Sequence, residues 1–520
     1  MSAAKPPTVL TIAGSDPSGG AGIEADLKVI TAHGCYGMTT ITGLTAQNTL
    51  GVRDIFVIPA EFVKKSLDAV FEDMPVDVVK TGMLTSAATI EVVADAMKQW
   101  KVEKLVLDPV LISTSGAHLV PSDALEMLRE VLLPMAFIVT PNLAEAQVLA
   151  GITEFREVVT VADLKSLASL IGTLGPKYVL VKGGHSPLMK DGTLPPPGKT
   201  PEIVVDVLFD PKTHKFEIFE KPYVDSTSTH GTGCSLAAAI ASNLAKGQGI
   251  SDAIREAGQY ISWAIETAPG FGSGKGPLNH LHSNYMVPFA PGHFLDYLKG
   301  HPKVQKVWEG YTRHEFIKRL GAGTLTEDQF AYYLRQDYLF LTQFARAHSL
   351  AGSKANRMED TLAAAKIVQH IYEESRLHIN YCEGFGISKE DIEATEEDIA
   401  CTAYTRYVLD IGNSHDVLAL HVALAPCLFG YHEIGAWLLA DANTKHHDNP
   451  YYKWILVYGQ SESYLNAVRE GRAFLERKAR AAGPDRLEEL VDIFAHATKM
   501  EKGFWTMGLE GPARRLGTSE

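Results

Sequence analysis

What this 520-residue chain has little of narrows its class before any motif is considered. Cysteine is scarce: Cys35, Cys234, Cys382, Cys401 and Cys427 make an odd set of five with no CxxC pair, which fits a reducing compartment better than a disulfide framework. Any cysteine that matters is expected to work as a thiol. Positive charge is short too, with 48 Lys and Arg against 62 Asp and Glu, a net charge of −14, and no dense basic run. Without a phosphate-backbone footprint, neither nucleic acid nor an anionic membrane is expected as a partner. The apolar run Thr8 to Ala13 is shorter than a signal-peptide core, and no window is read as approaching the roughly 18 apolar residues of a membrane helix. The expected localisation is cytoplasmic. Internal repeats and low-complexity tracts are missing as well, and the Pro-rich stretch Thr193 to Pro201 reads as a surface loop. What remains, 46% hydrophobic and 21% charged, is an ordinary globular composition, long enough for roughly two to four domains.

The chain has two grammars. Up to about residue 270, short β-branched runs ("TVLTIAG", "VDVVKTGML", "KLVLDPVL", "FIVTPN", "YVLVKGG", "IVVDVLFD", "KFEIFEKPYV") alternate with helix-length segments. Continuous Val/Ile/Leu runs of this kind predict a mostly parallel central sheet flanked by helices, an α/β class. In such sheets ligands bind beyond the carboxyl ends of the strands, where Asp108, Asn142, Lys182 and the Gly-rich turns fall. From about residue 303 the strand runs stop. Segments such as Gln329 to Lys354 and His415 to Ala440 carry aromatics and leucines at helical spacing, which predicts an all-α bundle. The Gly/Pro/His/Asn-rich stretch between them places the junction near Pro288. The expected division is 1–285 for the first domain, 286–302 for a linker and 303–520 for the second.

In the first half, "AGSDPSGGAGIEADLK" follows a strand and opens a helix, so its glycines let backbone N–H groups approach a ligand. A second turn, "STHGTGCS", places Gly231, Thr232 and Gly233 before a helix with Leu236, Ile240 and Leu244 on one face. Its amides form a nest suited to a phosphate in transfer. Cys234, next in line, faces the positive end of that helix, which predicts a lowered pKa and a thiol able to accept a hydroxyl proton. Gln47 in "TAQNT" offers both a donor and an acceptor to a ligand with an adjacent donor and acceptor of its own.

Together with "LDPVL", "TPNLAEA" and "VKGGH", these turns resemble the ribokinase superfamily. The order "GSDPSGGAGI", "LTAQNT", "KTGML", "GTGC" is similar to the hydroxymethylpyrimidine and hydroxymethylpyrimidine-phosphate kinase family. The resemblance implies a ribokinase-like fold that phosphorylates a pyrimidine alcohol with ATP and Mg2+. It places Gly14, Asp26, Gln47, Met83 and Val110 around the pyrimidine, and Asp108, Asn142, Glu145, Lys182, Gly231, Thr232 and Gly233 around the nucleotide. Glu145 would hold the magnesium through water. Most superfamily members have Asp where this chain has Cys234, and bacterial relatives commonly have Gln where it has Glu24.

In the second half no Glu lies three residues before a His, and "YHEIGAW" lacks the second His of a zinc-protease motif, so no metal is assigned there. Asp337 and Phe340, Glu501 and Phe504, and Cys427 and Tyr431 share helix faces, and Pro426 should open space around the thiol. The run "LRQDYLFLTQFARAHSLAGSKA", "AYTRYVL", "LAPCLFGYHEIG", "WILVYG", "MEKGFWTM" resembles the thiaminase II (TenA) family over residues 303–510. That implies a haem-oxygenase-like helical bundle in which Cys427 adds to a pyrimidine carbon, Glu501 moves protons and Asp337 binds the ring. Tyr404, Tyr431, Tyr458, Phe340 and Phe504 would hold the ring. Both halves thus address one aminopyrimidine, the first phosphorylating it and the second releasing it from thiamin or its degradation products. Both families commonly self-assemble, so a homo-oligomer is expected. The competing expectation is a pyridoxine or pyridoxal kinase whose helical half is a ligand sensor or scaffold.

Overall fold

The Val/Ile/Leu runs of the first half lie side by side in one sheet. The computed structural model describes residues 5–111, 121–152, 160–184, 186–383 and 387–511, and it divides into two units, Met1–Asn284 and Tyr285–Glu520. In the first unit the strands are β1 (Thr8–Ser15), β2 (Tyr36–Asn48), β3 (Gly51–Val57), β4 (Val78–Thr81), β5 (Leu105–Leu107), β6 (Ile138–Val139), β7 (Val179–Val181), β8 (Ile203–Asp210) and β9 (Lys215–Pro222), in the order β3-β2-β1-β4-β5-β6-β7-β8-β9. The six strands from β2 to β7 in that row are parallel, and β3 at one edge and β8 and β9 at the other are antiparallel. Helices α1 (Gly22–Ala32), α2 (Ala60–Asp73), α3 (Ala87–Gln99), α4 (Ser122–Met127), α5 (Leu143–Leu149), α6 (Val161–Gly172), α7 (Thr232–Ala245) and α8 (Ile250–Glu266) complete the unit.

Successive strand residues point to opposite faces, and here both faces are covered. Val9, Val78, Val106, Ile138 and Leu180 join one core with α7 and α8, while Leu10, Ile12, Val79, Leu107 and Val139 join the other with α3 and α6. That double burial is why these strands read as unbroken apolar runs. The edge pair β2–β3 escaped the sequence reading because "YGMTTITGLTAQN" is rich in Thr and Gly and alternates buried with half-exposed residues. From β1 the chain crosses to β2 on one side and then to β4 on the other. The carboxyl ends of β1 and β4 therefore flank the switch-point crevice.

The second unit is helical: α9 (Phe294–Gly300), α10 (Pro302–Thr312), α11 (Glu315–Ala322), α12 (Glu327–Ser353), α13 (Met358–Glu383), α14 (Lys389–Glu393), α15 (Ile399–Ser414), α16 (Val417–Ala440), α17 (Tyr452–Gln460), α18 (Glu462–Ala479) and α19 (Pro484–Glu510). Thr326 and Gln329 form a reciprocal capping box that starts α12, Asp416 caps α16, and Pro484 takes the first position of α19, where its missing N–H costs nothing. Residues 286–302, expected as a linker, are instead part of this fold. Phe289, Phe294, Leu295 and Leu298 are buried in its core, and Glu476 accepts the Gly292 and Phe294 amides at 3.1 and 2.6 Å. The expectation about membrane-length windows also needs correcting: α16 is long and apolar enough to cross a membrane by composition. Two-thirds of its most apolar window is buried inside the unit, as in a core helix.

Candidate functional site

In the first unit the strand ends open into a cavity of about 620 Å³, within the range of small-ligand pockets. Its walls start at the two glycine turns. Gly231, at φ 78°, is the N-cap of α7, and a Cβ there would lie 1.8 Å from the Gly20 carbonyl oxygen, so only glycine lets the turns meet. Behind it, Thr232, Gly233 and Cys234 line the cavity at the amino end of α7. Gly14 lines the cavity as well, bare enough for the Met83 methyl to rest 2.2 Å from where its Cβ would be. Gln47 and Val110 face the same space, as do Asp108, Asn142, Glu145 and Lys182.

The charged groups there are paired. The Asp108 carboxylate accepts from Lys182 Nζ and Thr140 Oγ1, each at 2.9 Å. Asn142 caps α5 by accepting the Glu145 amide at 2.9 Å, and Glu145 returns the bond to the Asn142 amide at 2.8 Å. Burial pushes the Glu145 carboxyl up to about 7, with the Asp108 charge adding and Lys182 opposing. Asp16 gathers the first turn, accepting Ser18 N and Ala21 N at 2.9 Å and His230 Nε2 at 2.8 Å. Burial would raise its pKa, yet the His230 and Ser18 bonds hold it below the usual carboxylate value. Glu24 closes that turn by accepting Ser15 Oγ at 2.6 Å and Asp16 N at 2.7 Å.

Two expectations change. Asp26 does not line the cavity. It is fully buried and accepts from Thr11 Oγ1 at 2.6 Å and Lys80 Nζ at 2.8 Å, so it pairs with a lysine on β4 rather than facing a substrate. Cys234 sits where expected, but its thiol is pushed up, not down, to about 11. Burial is the chief cause, Lys80 opposes it, and the Asp108 and Asp26 charges add to it, outweighing the helix end.

The second unit brings its own predicted residues together in the bundle core. Asp337 and Phe340 come from α12, Tyr404 from α15, Cys427 and Tyr431 from α16, Tyr458 from α17, and Glu501 and Phe504 from α19. Tyr404 donates to Glu501 Oε1 at 2.9 Å, and Phe340 stacks on Tyr404 with ring centres 5.0 Å apart and meets Phe504 at 5.8 Å. Tyr431 packs edge-on against Tyr458 at 5.1 Å. Glu501, 1% exposed, is pushed up to about 8 by burial. The nearby Asp337 charge adds to this, and the hydrogen bonds with Tyr404 and Cys427 oppose it. A protonated carboxyl thus touches a thiol among aromatic rings.

Residues 16–279 match the phosphomethylpyrimidine kinase family and residues 301–511 the TENA/THI-4/PQQC family. A hydroxymethylpyrimidine/phosphomethylpyrimidine kinase of Saccharomyces cerevisiae is 37% identical over 541 residues, covering 97% of this chain and 96% of its own. A Schizosaccharomyces pombe relative is 43% identical over 503 residues, 96% of this chain and 90% of its own. The chain belongs to the phosphomethylpyrimidine kinase family. The thiamine biosynthesis multifunctional protein of Corynebacterium glutamicum is 31% identical over 552 residues, 96% of this chain and 68% of its own. Among solved structures, the ADP complex of Bacillus subtilis pyridoxal kinase is 35% identical and covers 53% of this chain and 97% of its own, with a TM-score of 0.46.

For this phosphomethylpyrimidine kinase chain, sequence reasoning missed several residues at the two sites. His230 and Asp16 line the cavity, and both stand inside motifs quoted for their glycines. Lys80 lies in the "KTGML" motif without having been given a role. In the helical unit Tyr333, one turn before Asp337, donates to its carboxylate at 3.4 Å and accepts from Trp454 Nε1 at 3.3 Å. Tyr311 donates to the Pro426 carbonyl at 3.2 Å, an approach possible because residue 430 is glycine.

Proposed function

We propose that the first unit phosphorylates 4-amino-5-hydroxymethyl-2-methylpyrimidine and then its monophosphate with ATP, and that the second releases the same alcohol from thiamin or its aminopyrimidine breakdown products. The observation that carries this is the single cavity running from Gln47, a donor–acceptor pair for an aminopyrimidine, to the amides of Gly231, Thr232, Gly233 and Cys234. The full-length likeness to pyrimidine kinases favours this ring over a vitamin B6 ring.

In the first unit the substrate hydroxyl attacks the γ-phosphorus while the α7 amides and Lys182 stabilise the charge spreading over the phosphoryl oxygens. A thiol near 11 is protonated at neutral pH, so Cys234 holds the hydroxyl in line, and the hydroxyl proton leaves on a phosphoryl oxygen. No three His, Cys, Asp or Glu side chains converge as a metal shell among the described residues. Mg2+ fits as an ion ligated mainly by the triphosphate, with Glu145 and Asp108 holding its waters. When bound, it neutralises charge on the β- and γ-phosphates.

In the second unit Glu501, protonated below about 8, gives its proton to a ring nitrogen and recovers one from Cys427, whose sulfur bonds to the ring carbon. Electrons pushed back through the ring expel the thiazole or amine from the methylene carbon. Water adds there, its proton passing to the departing amine or, when the neutral thiazole leaves, to solvent, and the sulfur departs as the ring nitrogen returns its proton by way of Glu501. The test is incubation of the full chain with thiamin or 4-amino-5-aminomethyl-2-methylpyrimidine, with and without ATP, and identification of products by mass. Free alcohol without ATP and its mono- and diphosphate with ATP are the expected products; phosphorylation of pyridoxine alone would overturn the reading.

A further inference from the structure

Residues 270–276, with glycine at every second position, read as part of a domain junction, yet they are built into the first unit's site. The Gly274 amide donates to Thr49 Oγ1 at 3.3 Å and the Lys275 amide to the Thr49 carbonyl at 3.0 Å. The Gly276 carbonyl accepts the His230 amide at 3.0 Å, and the Gly276 amide donates to the Thr227 carbonyl at 3.1 Å. A Cβ on residue 274 would lie 2.1 Å from the Thr49 carbonyl oxygen, so only glycine lets the main chain lie this close. Thr49 stands in the turn between β2 and β3, just beyond Gln47, and His230 immediately precedes Gly231. This strap therefore joins the strand pair that carries Gln47 to the turn that carries the phosphate-binding amides.

Lys275 lies in the middle of that joint. It is exposed and also lines the cavity, so it stands at the mouth. Lys182, just after β7, and Lys221, on β9, line the cavity from the opposite end of the sheet, and each is paired with an aspartate. Lys275 brings positive charge to the β2–β3 side.

The two phosphorylations differ in the charge of the acceptor. The alcohol is neutral, whereas its monophosphate brings nearly two negative charges at neutral pH. In the first reaction a hydroxyl oxygen attacks the γ-phosphorus. In the second an oxygen of the acceptor's own phosphate attacks it, the bond from the γ-phosphorus to the β–γ bridging oxygen breaks, and ADP leaves. The γ-phosphoryl group lies before the α7 amides both times, so in the second reaction the acceptor's phosphate has to lie between those amides and the ring. There it meets the charge of the triphosphate in a cavity that Asp16, Asp108 and Asp206 also line, and that repulsion has to be offset.

We infer that Lys275 binds the acceptor's phosphate and so serves the second phosphorylation more than the first. The inference rests on the reading of this unit as a pyrimidine kinase. Its main chain is tied to both sides of the space that phosphate must occupy, its four-carbon stem reaches inward from the mouth, and its ammonium offers three donors to phosphate oxygens. A neutral alcohol gives the ammonium no charge to hold.

The test measures kcat and KM of the full chain for the alcohol and, separately, for its monophosphate, at saturating ATP, in wild type, Lys275→Met, Lys275→Gln and Lys275→Arg. Lys275→Met should lower kcat/KM for the monophosphate about tenfold or more relative to that for the alcohol, chiefly by raising KM for the monophosphate. Lys275→Gln should do the same, and it decides if the Met variant is not recovered folded. Lys275→Arg keeps the charge and should restore most of the ratio. A ratio unmoved in the neutral variants, or a loss that Lys275→Arg does not recover, would overturn the inference and leave the kinase reading standing. A wild type that phosphorylates neither compound would overturn both.

Discussion

Around the kinase cavity, Asp26, Asp108, Asp206 and Asp16 each face a cation or an imidazole, from Lys80, Lys182, Lys221 and His230. In the helical unit, Asp337 and Glu501 are buried among tyrosines, phenylalanines and a thiol. The difference follows the chemistry. Moving a phosphoryl group moves negative charge, so that site needs fixed positive charge held in place by carboxylate partners. Moving a proton onto a ring nitrogen needs a carboxyl that is still protonated at working pH, and burial among aromatic rings, which pushes Glu501 up to about 8, provides it.

The sharpest way to break the comparison is to remove the helical unit's nucleophile. Cys427→Ser should lower pyrimidine release about 1,000-fold or more, because a hydroxyl is far less acidic than a thiol, while the kinase rate stays at the wild-type value. Product assays run in parallel on one preparation check both halves, and near-normal release would exclude covalent addition.

Next in size is the removal of a cation from the α/β unit. Lys80→Met leaves the buried Asp26 carboxyl without its cation and with Thr11 as a partner, and should destabilise that unit by about 3–5 kcal/mol in urea unfolding. Adding Asp26→Asn should recover much of the loss. If the single and double variants unfold alike, the pair is not what holds that part of the core.

A pH series sharpens the contrast. Folded, Glu501 keeps its proton up to about 8 against an ordinary value of 4.5. Between those limits the folded chain holds a proton that the unfolded chain has lost, so this group's contribution to stability falls as pH rises through the window. Glu501→Gln removes that slope. The variant's helical-unit Tm should gain on wild type from about pH 5 to about pH 8.5, and a difference flat with pH would mean that the carboxyl is ionised throughout. The smallest effect is expected from Cys234→Ala. With the thiol protonated and the backbone amides carrying the stabilisation, kcat should fall about tenfold and KM for ATP should barely move. A collapse of turnover would restore the thiol as the base.

How much of this was legible depends on whether the deciding neighbour is near in sequence. The central strands announced themselves because both of their faces are buried, and the Gly231 turn because a left-handed residue at a helix start calls for glycine. The β2–β3 edge carries no such run. Asp26 was misplaced because its partner Lys80 is 54 residues away on another strand, and the Cys234 pKa was misjudged because a helix end is visible in sequence while the burial around it is not. Tyr333 stands one turn from Asp337, at a spacing that could have been noticed. Nothing in that spacing separates a hydroxyl aimed at a carboxylate from an ordinary core tyrosine.

The meeting of Gly231 with the peptide of Gly20 has an evolutionary consequence. A joint made of main chain against main chain offers selection no side chain to vary, so the phosphoryl end of this cavity is closed to gradual change. Divergence toward other alcohols has to proceed at the cavity's side chains, such as Gln47, Met83 and Val110, which can be exchanged one at a time.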